Sequence, residues 1–528
     1  MINQKHRAEL LITIFLILCY VITFLILNFK YLPHYTDGDI YADMLLARLI
    51  WQQKNLFPSN WIYGNQYYVI ATPVIASFFY GITGSMNTSM SMATTLMGAF
   101  IIISYLWMVF SFCGNKTACL VSLLVLLAAP AGQNLLILPQ GQLLFTLASY
   151  YSCYLITIFV VFGCYIRSWK PSTSRIPFVS WMLSALLSFA CGMQSLRQTA
   201  IMILPLCLID FCILSFGSVC KSKTFKTQKK LPHLFVAFCT SANILGHFYM
   251  QWLKIPAKTI YGTVTLDHAT AFPERLRSLW YAVRGICGID ASQNGLFYIL
   301  LMLFFFALVA GVIVLLRNIY RQDQHGLLLW SLFVISLIIT GAASLILSVA
   351  MRQIYLFLWY PLLAVSALLL ITTYESQPGR LLSFFICFFA AFNLFFSYGS
   401  SFSYAKEKDV SSMQEFCEEA VAAGYRTVYG GWDVSPQFIV WSDGALIGAF
   451  WEEPTFFIRD HINLTDVYSE DDNKTAVYLF SQWDLAPNAE IIESEMDYFG
   501  TYSSYSAYTG RHQLMRWPEW LSFMNEEG

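Results

Sequence analysis

LLITIFLILCYVITFLILN, residues 10–28, runs without a charge, and HYTDGDIYADMLLARLIW, residues 34–51, follows it almost at once. A helix needs about 20 apolar residues to cross the hydrocarbon core of a bilayer, and the first stretch meets that requirement. Lys5 and Arg7 precede it and no small-residue cleavage site follows, so it reads as a retained signal anchor with its N-terminus in the cytoplasm. The second stretch is its opposite in character. It packs Asp37, Asp39 and Asp43 into a chain that elsewhere avoids acid.

Working outward, the whole chain is 57% apolar and 17% aromatic, only 12% charged, with a mean hydropathy of +0.56. That composition excludes a soluble globular protein of this length. Apolar runs like the first recur around 88–112, 118–138, 142–166, 176–193, 198–216, 232–252, 294–316, 326–349, 354–373 and 381–399. They predict an all-α polytopic membrane bundle of about 11 transmembrane helices.

The net charge of −1 hides two unlike parts. Residues 401–528 hold 22 Asp+Glu against 7 Lys+Arg, and the first 400 residues hold 10 against 24. The expected division is a transmembrane domain over 1–400, with large outer loops at 29–87 and 253–293, and an acidic extracytoplasmic α/β domain over 401–528. Most of the 13 cysteines lie in apolar runs as small hydrophobes; Cys287 and Cys417 are the pair available for a bridge.

Loop charges orient the bundle. RSWKPSTSR (167–175), KSKTFKTQKK (221–230), RNIYRQDQHG (317–326) and CGNK (113–116) are basic and belong on the cytoplasmic side. YYVIATPVIASFFYGITG, residues 67–84, must then be a juxtamembrane or re-entrant segment, because a full crossing there would put every later basic loop outside. Six of the ten acids in the first 400 residues fall in the two outer loops, so any chemistry is expected on that face.

Within IYADMLLARLIWQQKN, apolar almost all round, the expectation is a helix lying at the membrane surface. Asp39 and Asp43 are one turn apart and Asp37 precedes the helix start. Three readings stay open: Asp37 or Asp39 as an N-cap, the pair as ligands of a divalent cation, or one as general base toward an acceptor hydroxyl. Trp61, Tyr63, Tyr67 and Tyr68 follow as an interfacial aromatic belt or a sugar-stacking surface.

Arginine is biased toward the cytoplasmic side, so arginines on the outer face need a reason. In FPERLRSLWYAVRGICGID (272–290), Arg277 and Arg284 flank the apolar face of an expected interfacial helix, in contact with membrane lipids. Arg197, in CGMQSLRQTAIMILP, and Arg352, in AMRQIYLFLWYP, stand at outer helix starts, where N–H groups plus a guanidinium suit a phosphate. Asp210 reads as a structural partner near the inner interface.

Together DGDIY after a first transmembrane helix, GMQSLRQTAIMILP and RQIYLFLWYP resemble the GT-C superfamily of polytopic glycosyltransferases, which includes protein O-mannosyltransferases and lipid A aminoarabinose transferases. The family commonly has a lysine where this chain has Arg197, and Gly38 separates the two acids that the family pattern places together. The resemblance implies a GT-C-like fold and an inverting enzyme that moves a sugar from a polyprenyl-phosphate donor to an envelope lipid, glycan or protein. Asp37 or Asp39 would be the catalytic base, and Arg197, Arg352, Arg277 and Arg284 would hold the donor phosphate; Asp37 and Asp39 would hold a divalent cation if one is used.

The tail, with strand-like YRTVYG, ALIGAFW and TAVYLFSQ, carries no Gly-rich phosphate loop and no zinc spacing, and Asp433 and Asp443 read as turn residues. No nucleic-acid partner is expected, and the plasma membrane is the expected location. A flippase or transporter of a lipid-linked glycan would show internal repeats and charges within the spans, and neither is evident. A non-catalytic envelope scaffold is the third reading. Asn463 and Asn473 open Asn-x-Thr sites.

Overall fold

The computed structural model describes residues 4–35, 38–59, 61, 63, 66–128, 142–146, 151–169, 178–216, 230–255, 272–286, 296–347, 353–374, 377–407, 410–431, 435–450, 473–512 and 514. Asp37, Cys287, Arg352, Asp433 and Asn463 lie outside them.

The membrane part is a helical bundle: α1 (Gln4–Lys30), α2 (Leu32–Tyr35), α3 (Gly38–Gln53), α4 (Thr72–Thr83), α5 (Met86–Val109), α6 (Lys116–Leu127), α7 (Gln142–Phe145), α8 (Ser152–Ser168) and α9 (Phe178–Gln194). It continues with α10 (Leu196–Phe216), α11 (Lys230–Leu253), α12 (Phe272–Ile286), α13 (Leu296–Val314), α14 (Leu316–Gln322), α15 (Gln324–Ile346), a 3-10 turn (Gln353–Leu356), α16 (Trp359–Thr373) and α17 (Gln377–Glu407).

Every apolar run singled out in the sequence holds a helix, but among the described residues only six are long and apolar enough to cross a membrane: Arg7–Lys30, Met86–Val109, Leu196–Ser215, Gln324–Ile346, Ile354–Thr373 and Gln377–Phe395. The described helix in the run 118–138 is the 12-residue α6, and the run 142–166 is divided between α7 and α8. Apolarity thus marked where helices form and not how far each one runs. The segment 67–84 becomes a 12-residue helix, α4, about 18 Å long at 1.5 Å per residue, too short to span.

The apolar helix α16 is buried at every position from Tyr360 to Ile371 and forms the centre of the bundle. By contrast α1 exposes Leu11, Phe15, Leu18 and Ile22, and α17 exposes Phe384, Phe388 and Phe395, as lipid-facing helices do. Polar side chains tie helices together where no water competes: Tyr20 donates to Ala390 O (2.8 Å) and Asn393 Oδ1 (2.9 Å), and Trp330 Nε1 donates to Ser366 Oγ (2.9 Å). Asp210 has the structural role expected of it, accepting from Tyr165 at 3.1 Å and pairing with His233 Nδ1 at 2.9 Å.

The backbones of α9 and α11 approach each other closely. A Cβ on Gly192 would lie 1.9 Å from Asn243 O, and one on Gly246 would lie 2.0 Å from Phe189 O. Small residues at a helix crossing allow this contact, and the obstructing atoms are backbone that cannot swing aside. Gly246→Leu is expected to force the helices apart and cost about 1–3 kcal/mol or more. Thermal unfolding in detergent measures it, and an unshifted transition would contradict the crossing.

After the bundle come α18 (Ser411–Ala422), β1 (Thr427–Gly430), α19 (Ser435–Trp441), β2 (Ile447–Phe450), β3 (Thr475–Ser481), α20 (Gln482–Leu485), α21 (Ala489–Glu495), β4 (Met496–Tyr502) and β5 (Tyr505–Arg511). The sheet order is β2-β1-β3-β5-β4, with β1 parallel to β2 and β3 and the β3-β5-β4 pairs antiparallel. Val428, Val477, Leu479 and Ala507 meet Met413, Phe416 and Ala420 of α18 in a separate small core. Cys417 is buried in that core, and its proposed bridge partner Cys287 lies outside the described residues. Asp443, at φ 50°, sits in a turn as its residue type suggests.

Candidate active site

Gly38 and Asp39 of DGDIY open α3, a helix covered by protein on most of its surface. Ten of its residues are buried, because α4 and α5 pack on it from the bundle and α19 packs on it from the C-terminal sheet unit. Asp39 is in the first turn and exposed, whereas Asp43, one turn later, is 6% exposed. Asp39 and Asp43 therefore occupy different environments, while Asp37, the alternative to Asp39 as base, lies outside the described residues.

Tyr68 stands beside both. Its phenol is held well above its ordinary range, first by burial and then by the negative charges of Asp43 and Asp39, in that order. Gln66 hydrogen-bonds the same phenol and accepts from Tyr154 Oη of α8 at 2.7 Å. The loop bearing Gln66 and Tyr68 is held on the end of α9: Gln194 O accepts from Tyr67 N (3.0 Å), and Gln194 Oε1 accepts from Val69 N (3.3 Å) and Ile70 N (3.0 Å). Ring contacts among Phe57, Tyr63, Tyr67 and Tyr68 stiffen it, with the Tyr63 and Tyr67 centroids 5.3 Å apart.

Arg197, in the first turn of α10, is on the other side of Tyr154. Its Nη1 donates to Tyr151 Oη at 3.2 Å, and its guanidinium carbon sits 4.2 Å from the Tyr355 ring centroid. Tyr151 in turn stacks on Phe357 at 5.0 Å and touches Tyr154 at 5.5 Å. The arginine is thus seated in an aromatic socket made from α8 and from the segment 355–357. A row of interactions leads from the α3 acids, whose charge reaches Tyr68, through Gln66 and Tyr154 and by way of Tyr151 to Arg197.

The row brings together Asp39, Asp43 and Arg197. It reaches Tyr355, three residues after Arg352, although Arg352 itself and Asp37 are outside the described residues. Arg277 and Arg284 lie on α12, which packs on the 3-10 turn before α16. Arg277 is exposed and Arg284 stands 5.8 Å over the Tyr281 ring, so neither has a described contact with the row. The α12 arginine that turns inward is Arg275, whose Nη1 donates to Leu345 O at 2.7 Å. Among the described residues no three His, Cys, Asp or Glu side chains gather as a metal shell.

The sequence reading passed over Gln66, Tyr154, Gln194 and Tyr355. Gln194 carried a signal, being an amide side chain inside the apolar tract GMQSLRQTAIMILP; the others are ordinary residue types in ordinary surroundings. Tyr68 leads to a prediction. A raised folded-state phenol keeps its contribution to stability complete below the unfolded value of about 10 and loses it as pH climbs beyond that. Tyr68→Phe should flatten the fall in melting temperature above about pH 10. Parallel curves for variant and parent would place Tyr68 away from the acids.

No family model matches the chain, and no curated relative matches it by sequence. The bundle, the acids on a short helix after the first long helix and the small sheet after the last make up an architecture that solved structures share. Among the solved structures it resembles are two of ArnT from Cupriavidus metallidurans. The apo form superposes with a TM-score of 0.56 at 11% identity, covering 93% of this chain and 97% of that one. The form bound to undecaprenyl phosphate gives 0.57 at 10% identity, covering 95% and 99%. The chain is an integral membrane protein with an ArnT-like fold.

Proposed function

We propose that the protein is a membrane glycosyltransferase that takes a sugar from a polyprenyl-phosphate donor and passes it to an envelope acceptor on the extracytoplasmic face of the plasma membrane. The observation that carries this is the row joining the α3 acids to Arg197 in its aromatic socket: a base at one end and a cation for phosphate at the other. The fold supports it, since one ArnT structure holds undecaprenyl phosphate.

In this reading Asp39, exposed on the first turn, takes the proton from the acceptor hydroxyl as its oxygen bonds to the sugar's anomeric carbon. The bond from that carbon to the phosphate oxygen breaks, and the charge left on the phosphate is met by Arg197 and by the first N–H groups of α10. One base suffices for an inverting displacement, in contrast to the paired carboxylates of a glycosidase. Asp43 orients Tyr68 and through it the loop. Asp37 is the second candidate base, and Arg352, Arg277 and Arg284 would draw the anionic donor from the membrane. In this reading the chain divides near residue 400, with both the acids and the acidic sheet unit on the outer side.

Binding tests the reading before any acceptor is known. Purified protein in detergent should retain undecaprenyl phosphate in native mass spectra and should not retain undecaprenol, the same chain without the phosphate. Equal retention of both, or of neither, would sink the proposal.

A further inference from the structure

The face of α3 opposite its acids is occupied by the C-terminal unit. Trp441 Nε1, at the end of α19, donates to Tyr41 Oη at 3.1 Å. Val440, 5% exposed, belongs to the apolar cluster of the membrane bundle, while Phe438 of the same short helix belongs to the core under the sheet. The turn that closes α19, with Gly444 N donating to Ile439 O at 2.8 Å, lies against Arg48: a Cβ on Gly444 would fall 2.0 Å from the Arg48 Nη1. Gly444 has φ +83°, so a side chain there is strained as well as displacing the guanidinium.

Helical geometry makes this arrangement consequential. At 3.6 residues per turn, Tyr41 and Arg48 share one face, and Asp39 and Asp43 point roughly 160° away from Tyr41 on either side. The same helix is thus gripped on one side by the C-terminal unit and presents its acids on the other. We propose that α19 and its closing turn are a latch that sets the rotation of α3, with Trp441, Tyr41, Arg48 and Gly444 as positioning residues for the acids. This rests on the glycosyltransferase reading for its kinetic consequence. The docking itself stands apart from that reading.

The test is made on the full-length protein in detergent, with hydrogen exchange of α3 amides read alongside transfer kinetics. Tyr41→Phe and Trp441→Phe remove one hydrogen bond from opposite sides, and each should speed exchange across residues 41–48 roughly three- to tenfold. Each should lower kcat by a similar factor with the KM for donor unchanged, because what is lost is the placement of the base. Arg48→Ala and Gly444→Ala disturb the same contact, so their double variant should be no worse than the worse single. Unchanged α3 exchange in both phenylalanine variants overturns the latch, and so do additive effects of Arg48→Ala and Gly444→Ala. Faster exchange with unaltered kcat overturns the positioning role. A parent protein without any transfer activity counts against the proposed function alone, since the exchange measurement still decides the docking.

Discussion

Arg197→Ala is expected to lower kcat/KM for transfer from a polyprenyl-phosphate sugar by roughly 10²–10³, the cost of deleting one preorganised donor to a developing anion. The socket makes the expectation specific. The guanidinium is placed by the hydrogen bond it donates to the Tyr151 phenol and by the face of Tyr355, and both contacts depend on its planar shape. Arg197→Lys keeps the charge and loses the fork and the stacking, so it should recover only part of the loss. Retention of undecaprenyl phosphate should weaken in step with activity. An alanine variant within about twofold of the parent in both measurements, a difference too small to count as a lost charge-assisted hydrogen bond, would remove Arg197 from the site.

Asp39→Asn is expected to lower kcat by roughly 10²–10⁴, the usual range for losing a general base, with donor retention intact. Burial separates the two acids of α3. Asp39 is open to an incoming hydroxyl, whereas Asp43 is enclosed beside Tyr68. Asp43→Asn should therefore act through the loop, loosening residues 66–70, and should weaken donor retention as well as turnover. The opposite pattern, with Asp43→Asn abolishing turnover cleanly and Asp39→Asn nearly silent, would transfer the role of base to Asp43.

The fold was legible in the sequence at the level of its periodicities. Apolar runs, basic loops and an acidic tail predicted a helical membrane bundle followed by a small α/β unit, and the strand-like TVYG, IGAF and TAVYLFS became β1, β2 and β3. Helix lengths were not legible, because composition does not mark where α6 stops or where α8 starts. β4 and β5 were missed, since MDYFGTY and YSAYTGR read as aromatic and small residues without a clean inside and outside. Of the site, the carboxylates and Arg197 could be picked out because an ionisable group in an apolar chain stands out by type. The neutral residues between them could not: Gln66 and Tyr154 acquire their roles only when α8 packs against the loop.

The crossing of α9 and α11 has a consequence beyond its own stability. Gln194, the last residue of α9, is the clamp for the loop that carries Tyr68, two residues past Gly192 where backbone rests on backbone. The reference height for that end of the molecule is thus set by main-chain atoms, which every sequence shares, and the lipid-facing side chains of Leu183, Leu186 and Leu245 are left free to change. A scaffold gauged in this way keeps that loop in register while its apolar residues are exchanged wholesale.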